Sequence, residues 1–155
     1  MQTISKLLTA DHKHCDELFV AAEECVANKD WNDMAARFDT FRRSIERHFA
    51  TEENLLFPAY EGVVGGPTGP TNVMRLEHGQ MRDLFEEMAQ AVTDRDADAF
   101  LGLSETLLVM MQQHNLKEEQ ILYPLMDRAM GAERERLVEQ AQAALAGGAD
   151  AGLQG

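Results

Sequence analysis

Apolar residues recur along this chain at three- and four-residue intervals, the spacing of amphipathic helices rather than strands. Residues 3–28 carry Ile4, Leu7, Leu8, Cys15, Leu18, Phe19, Ala22 and Val26 at that spacing and predict a first helix. Asn28-Lys29-Asp30 predicts a break, with Asp30 or Asn32 as the next N-cap. A second helix is expected over about 31–60, with Met34, Phe38, Phe41, Ile45, His48, Glu52, Leu55 and Leu56 on one face. Pro58 should kink or end it, because proline has no N–H and crowds the turn before it. Residues 61–70 hold four glycines and two prolines and predict a loop. Thr71 or Asn72 is the expected cap of a third helix reaching about Thr93. Asp94 or Asp96 starts a fourth, reaching about Met130 and kinked at Pro124. Phe100, Leu103, Leu107, Met111, His114, Glu118, Ile121 and Leu125 should face inward on it. A short amphipathic helix follows over Glu133 to Leu145, as a packing or partner surface around Leu137 and Val138. Four long helices with short links predict an all-α, up-down-up-down four-helix bundle over residues 1–146, and the glycine-bearing tail 147–155 is expected to be disordered.

Polar residues on the inward faces alter this picture. His12 returns as His78, His48 as His114 and Glu52 as Glu118, each 66 residues later. The flanks repeat too: Asp11-His12 with Glu77-His78, and Glu52-Glu53-Asn54-Leu55-Leu56-Phe57-Pro58 with Glu118-Glu119-Gln120-Ile121-Leu122-Tyr123-Pro124. The bundle is therefore expected to have an internal two-fold repeat. Residues four apart share a helix face, so His48 with Glu52, and His114 with Glu118, can reach one inward point. Adding His12 and His78 gives four imidazoles and two carboxylates in an apolar interior, where they need a compensating metal. Two ions, each with two histidines and two shared glutamates, would use every donor and leave coordination positions open. A closed structural zinc site, in contrast, would use four donors and leave none. The apolar ring, with Phe19, Phe41, Ile45, Leu55, Phe85, Leu107, Met111 and Ile121, should keep bulk water out and admit small gases or peroxide.

Several neighbours read as bystanders. His14 has Gln80 as its counterpart and points elsewhere on the helix. Asp11 and Glu77 are expected to face away, either supporting a ligand from behind or, the favoured reading, as surface charge. Glu53 and Glu119 are either solvated or alternative ligands, ranked behind Glu52 and Glu118. Tyr60 and Tyr123 lie beyond the ligand turns with no role assigned. Cys15 and Cys25, about 15 Å apart along one helix, cannot form a disulfide and should be reduced core thiols.

The formal charge of −13 over 155 residues disfavours nucleic acid and anionic membrane as partners, since phosphate binding needs a basic patch. No apolar run reaches the length of a membrane span, and the first residues lack a signal-peptide core. A cytoplasmic location is expected.

The repeated motifs, Asp11-His12, His48-x-x-x-Glu52-Glu53, Glu77-His78 and His114-x-x-x-Glu118-Glu119, resemble the hemerythrin family in its HHE cation-binding branch, over about residues 8–130. The resemblance implies a four-helix bundle with two non-haem iron ions, bridged by two carboxylates and an oxo or hydroxo group. It also implies oxygen binding, sensing, nitric oxide or peroxide handling, or repair of iron centres. One position departs from the pattern. Oxygen carriers have a further histidine four residues before the third-helix ligand, where this chain has Met74, with Leu8 at the matching place in the first half. That puts reversible oxygen storage in doubt and favours a reactive or sensing role, or iron storage, delivery or repair. A sensor without an attached signalling segment would act through a homodimer or a protein partner.

Overall fold

Side-chain caps start the long helices where the chain breaks its helical pattern. In the computed structural model, Thr3 accepts a hydrogen bond from the Lys6 N–H at 3.1 Å and opens α1, Ile4–Ala27. Asp30 does the same from Asp33 at 3.2 Å for α2, Trp31–Thr51. Asp96 accepts from Ala99 at 3.0 Å and opens α5, Ala97–Lys117. The links before these two aspartates each place a non-glycine residue in the left-handed region, Lys29 at φ 57° and Arg95 at φ 52°. The structure describes the backbone of residues 2–154 and the side chains of residues 2–146, so the side chains of the tail expected at 147–155 lie outside the described residues. Among the described residues no strand occurs, and no helix is long and apolar enough to cross a membrane.

The prolines do not end the helices. Instead α2 passes into a π-helical turn, Glu52–Leu56, and continues as α3, Phe57–Val64; α5 passes into a second π-turn, Glu118–Leu122, and continues as α6, Tyr123–Met130. Proline lacks the N–H that would bond four residues back, and its ring crowds that carbonyl. The wider turn accommodates both, with the Phe57 N–H bonding to Glu52 O and the Tyr123 N–H to Glu118 O, five residues back. Helicity therefore persists through Glu61-Gly62-Val63-Val64, which were expected in a loop. It stops at Gly65, whose φ of 96° suits a residue with no Cβ. The next helix, α4, Gly69–Thr93, is capped by Thr68 in a reciprocal box with Thr71, not by Thr71 or Asn72, and Pro70 sits in its first turn, where no N–H is required. Each π-turn also shifts the helix phase. Leu122 is buried at 1% exposure, whereas Ile121, expected inward, is 53% exposed.

The helices pack as a bundle: α1 against α2, α4 against α5, with α2 also meeting α4 and α3 meeting α6. A last helix, α7, Arg134–Gln154, lies on α2 and α1 and buries Leu137, Val138 and Ala141. Two carboxylates tie the later segments to helix starts. Asp127 accepts from the Ile4 and Ser5 N–H groups at 2.8 and 3.1 Å and from the Ser5 hydroxyl at 2.8 Å. Glu61 accepts from the Thr71 hydroxyl at 2.7 Å and from both Arg75 terminal nitrogens at 2.6 and 2.9 Å. Buried apolar residues form two clusters. One is built around Phe19, Phe38, Phe41, Phe49, Phe85 and Phe100, the other around Leu8, Leu56, Phe57, Met74, Leu122 and Tyr123. On α1 and α4 the buried histidine falls between residues of the second cluster and residues of the first.

Candidate metal centre

His12 on α1, His48 on α2, His78 on α4 and His114 on α5 are all buried, as are Glu52 and Glu118, the first residues of the two π-turns. They converge in two groups that share the glutamates. His12, His48, Glu52 and Glu118 each offer one donor atom within 4.8 Å of the others, and so do Glu52, His78, His114 and Glu118. The six residues that the repeat singled out are thus brought together in one pocket.

Each imidazole is held through Nδ1 by a carboxylate from another helix. His48 donates to Asp11 and His114 to Glu77, at 2.7 and 2.8 Å. His12 donates to Glu119 and His78 to Glu53, both at 2.7 Å. These four bonds fix the tautomers and turn every Nε2 into the pocket. They correct the reading of Asp11 and Glu77 as outward surface charge. One residue along from His12, Asp11 is turned about 100° round α1, and that flank faces α2, not solvent. Glu53 and Glu119 likewise hold the histidines of other helices. Arg82 grips both oxygens of Glu53 at 2.9 and 3.0 Å and also reaches Glu46, while Lys117 pairs with Glu77. His14 is exposed. Cys15 and Cys25 are free, buried thiols, and burial pushes Cys15 up to about 11.

The sequence reading missed Tyr123. Its hydroxyl donates to Glu52 Oε2 at 2.6 Å or Glu118 Oε1 at 2.9 Å and stands 3.2 and 3.3 Å from the Nε2 atoms of His12 and His48. Five residues beyond Glu118, a regular α-helix would turn it about 140° away. The π-turn brings residue i+5 back above residue i. The signal in the sequence was Pro124, which forces the wider turn.

Charge in the pocket is strongly coupled. Burial pushes the Glu52 carboxyl up, but the His48 charge and the close approach of Glu118, His48 and His78 outweigh it and hold it well below the usual range. Burial pushes His48 down, yet the Glu52 charge and the Asp11 bond leave it well above an ordinary imidazole. His78 reaches about 9 by the same balance, through Glu52 and Glu53. Burial, followed by the charges of Glu118 and Glu52, drives the Tyr123 phenol well above 10, so it stays protonated. Even so, some donors remain unmatched. Glu52 Oε1, His78 Nε2, His114 Nε2 and Glu118 Oε2 are buried without a hydrogen-bond partner. His78 Nε2 stands 3.1 Å from Glu52 Oε1, near enough for charge but off hydrogen-bond geometry. Buried polar atoms without partners are costly. A cation accepting these nitrogen and oxygen lone pairs removes that cost, so the residues fit a metal of the iron, zinc or manganese kind.

Residues 3–126 match the family described as the Hemerythrin HHE cation binding domain. Over 108 residues, 63% of this chain, the sequence is 29% identical to an iron-sulfur cluster repair protein, YtfE, of Edwardsiella ictaluri. The match covers 47% of that protein, so the chain spans about half the length of the curated relative it matches. No solved structure matches the chain.

Proposed function

The chain belongs to the hemerythrin HHE cation-binding family, and we propose that it is a non-haem di-iron protein that binds or reacts with oxygen, nitric oxide or peroxide. On this reading His12 and His48 hold one ion, His78 and His114 the other, and Glu52 and Glu118 serve both. The observation that carries it is the set of buried donor atoms left without hydrogen bonds on His78, His114 and the two glutamates common to both groups. When bound, iron in such a donor set supplies redox chemistry toward small molecules. The chain's own residues do the rest. Asp11, Glu53, Glu77 and Glu119 orient the imidazoles, Glu52 keeps its charge, and the phenylalanines of the first apolar cluster exclude bulk water. The 66-residue offset also relates Asp127–Ser5 to Glu61–Thr71 and Lys29 to Arg95, which supports an internal two-fold repeat in an up-down-up-down bundle. We place the protein in the cytoplasm, with two reduced thiols and no nucleic-acid partner, acting alone or through a homodimer or protein partner.

A second reading has the iron as cargo for storage, delivery or repair of iron centres, and the repair protein among its relatives favours it. Metal analysis and the aerobic absorption spectrum of protein from iron-supplied cells test the centre. Two irons per chain with a near-ultraviolet charge-transfer band are expected, and His48→Ala or His114→Ala should lose one iron or both. Zinc without such a band, or normal iron in either variant, overturns the assignment. Rapid exchange with a chelator would favour cargo over a resident centre.

A further inference from the structure

The two ligand groups share their glutamates but differ in what stands beside them. At the His12–His48 group the Tyr123 hydroxyl lies within 3.3 Å of a donor atom of all four members. Sixty-six residues earlier stands Phe57, whose ring lies nearly parallel to that of His78, 6.0 Å away, and offers no hydroxyl. Within the pocket the unpartnered atoms divide accordingly. Two are Nε2 of His78 and His114, two are glutamate oxygens, and none belongs to His48 or to His12, whose Nε2 also lies 3.0 Å from Glu118 Oε1. The surroundings differ as well. Arg82 and Lys117 fasten the carboxylates that orient His78 and His114. Their counterparts in the other half are Asp16 and Thr51, neither of which is a cation.

Resting on the two-ion reading, we propose that the metal positions are inequivalent: the His78–His114 position fills first and holds its ion longer, while the Tyr123 hydroxyl competes for the donors of the His12–His48 position and makes that ion the exchangeable one. An ion entering beside His78 and His114 meets fastened imidazoles whose Nε2 atoms are engaged in no hydrogen bond. An ion entering beside His12 and His48 must first displace a hydroxyl bonded to the charged Glu52 carboxylate. A hydrogen bond to a charged group is worth roughly ten- to hundredfold in affinity. The acidic flank formed by Asp16 and Glu119 acts in the opposite sense by attracting cations. Glu119 is 34% exposed, however, so solvent screens that attraction, whereas the hydroxyl contact is direct and buried.

Titration of the full, chelator-stripped chain with Co(II), followed by calorimetry and visible absorption, tests this. Wild type should take two ions in two steps separated by roughly tenfold or more. Tyr123→Phe should tighten the weaker step by a similar factor, leave the stronger one unchanged and so close the gap. Release of cobalt to excess EDTA should be biphasic in wild type and nearly single-phase in the variant. Two equal steps in wild type, or a weaker step that loosens in Tyr123→Phe, overturns the inference while leaving the two-ion reading intact. A single cobalt per wild-type chain overturns both.

Discussion

Each imidazole in the pocket has two nitrogens with different work to do. Nε2 faces the other donors, and Nδ1 is held by Asp11, Glu53, Glu77 or Glu119 at 2.7–2.8 Å. A carboxylate behind a ligating histidine fixes its ring and raises its basicity, typically worth ten- to a hundredfold in metal affinity. Asp11→Ala or Glu77→Ala should therefore weaken metal binding by roughly tenfold or more in competition with a chromophoric chelator. Asp11→Asn, which keeps an acceptor but no charge, should lose less. Unchanged affinity in the alanine variants would mean that these carboxylates merely sit beside the site. The six inward residues were legible in the sequence because their repeat needs no knowledge of packing. Asp11 and Glu77 were not, because a helical wheel drawn for one helix treats the flank beside a ligand as solvent. What fills that flank is another helix, and nothing in local periodicity says which. Even so, both bonds span 37 residues, a regularity available from the repeat itself.

Helix continuity is decided by how the chain handles its prolines. The periodic apolar faces predicted the long helices well, and Asp30 and Asp96 cap where the pattern broke. Pro58 and Pro124 were harder to read, since a proline inside a helical pattern ends, kinks or widens it according to the surrounding packing. Here the π-turns widen it, which moves Ile121 out and Leu122 in, and carries α3 to Val64. That extension puts Glu61 beside the start of α4, where Arg75 takes both its oxygens and Thr71 donates its hydroxyl. Bonds from Arg75 hold the Glu61 carboxyl below its ordinary value of 4.5, ahead of the opposing effect of burial. Because the folded value is the lower one, the contribution is full above about pH 4.5 and fades as the pH falls through that lower value. Glu61→Gln should cost about 1 kcal/mol in urea unfolding at pH 7. The gap to wild type should narrow in acid; a gap that is independent of pH would assign the effect to packing rather than charge.

At the scale of the whole molecule the pocket acts on stability as well as chemistry. A chain of net charge −13 that buries two glutamates and four imidazoles between two apolar clusters sets local repulsion and unmatched donors against its core. Against that cost stand α7, which closes over α2 and α1 with Leu137, Val138 and Ala141, and the ties from Asp127 in α6 to the start of α1 and from Glu61 in α3 to the start of α4. Metal binding should offset this cost. An ion that binds only the folded chain adds about 2.7 kcal/mol of stability at a hundred times its dissociation constant. For a chain of this size that is roughly 5–10 °C in Tm for each ion. Removing metal with EDTA should lower the thermal midpoint by at least that amount, and adding Co(II) back should restore it in steps as the two positions fill. His48→Ala should respond less to cobalt than wild type, because a donor of the His12–His48 position is gone. Identical melting of stripped and loaded protein would show that the donors are satisfied without an ion, and the pocket would then be a polar knot in the core rather than a metal centre.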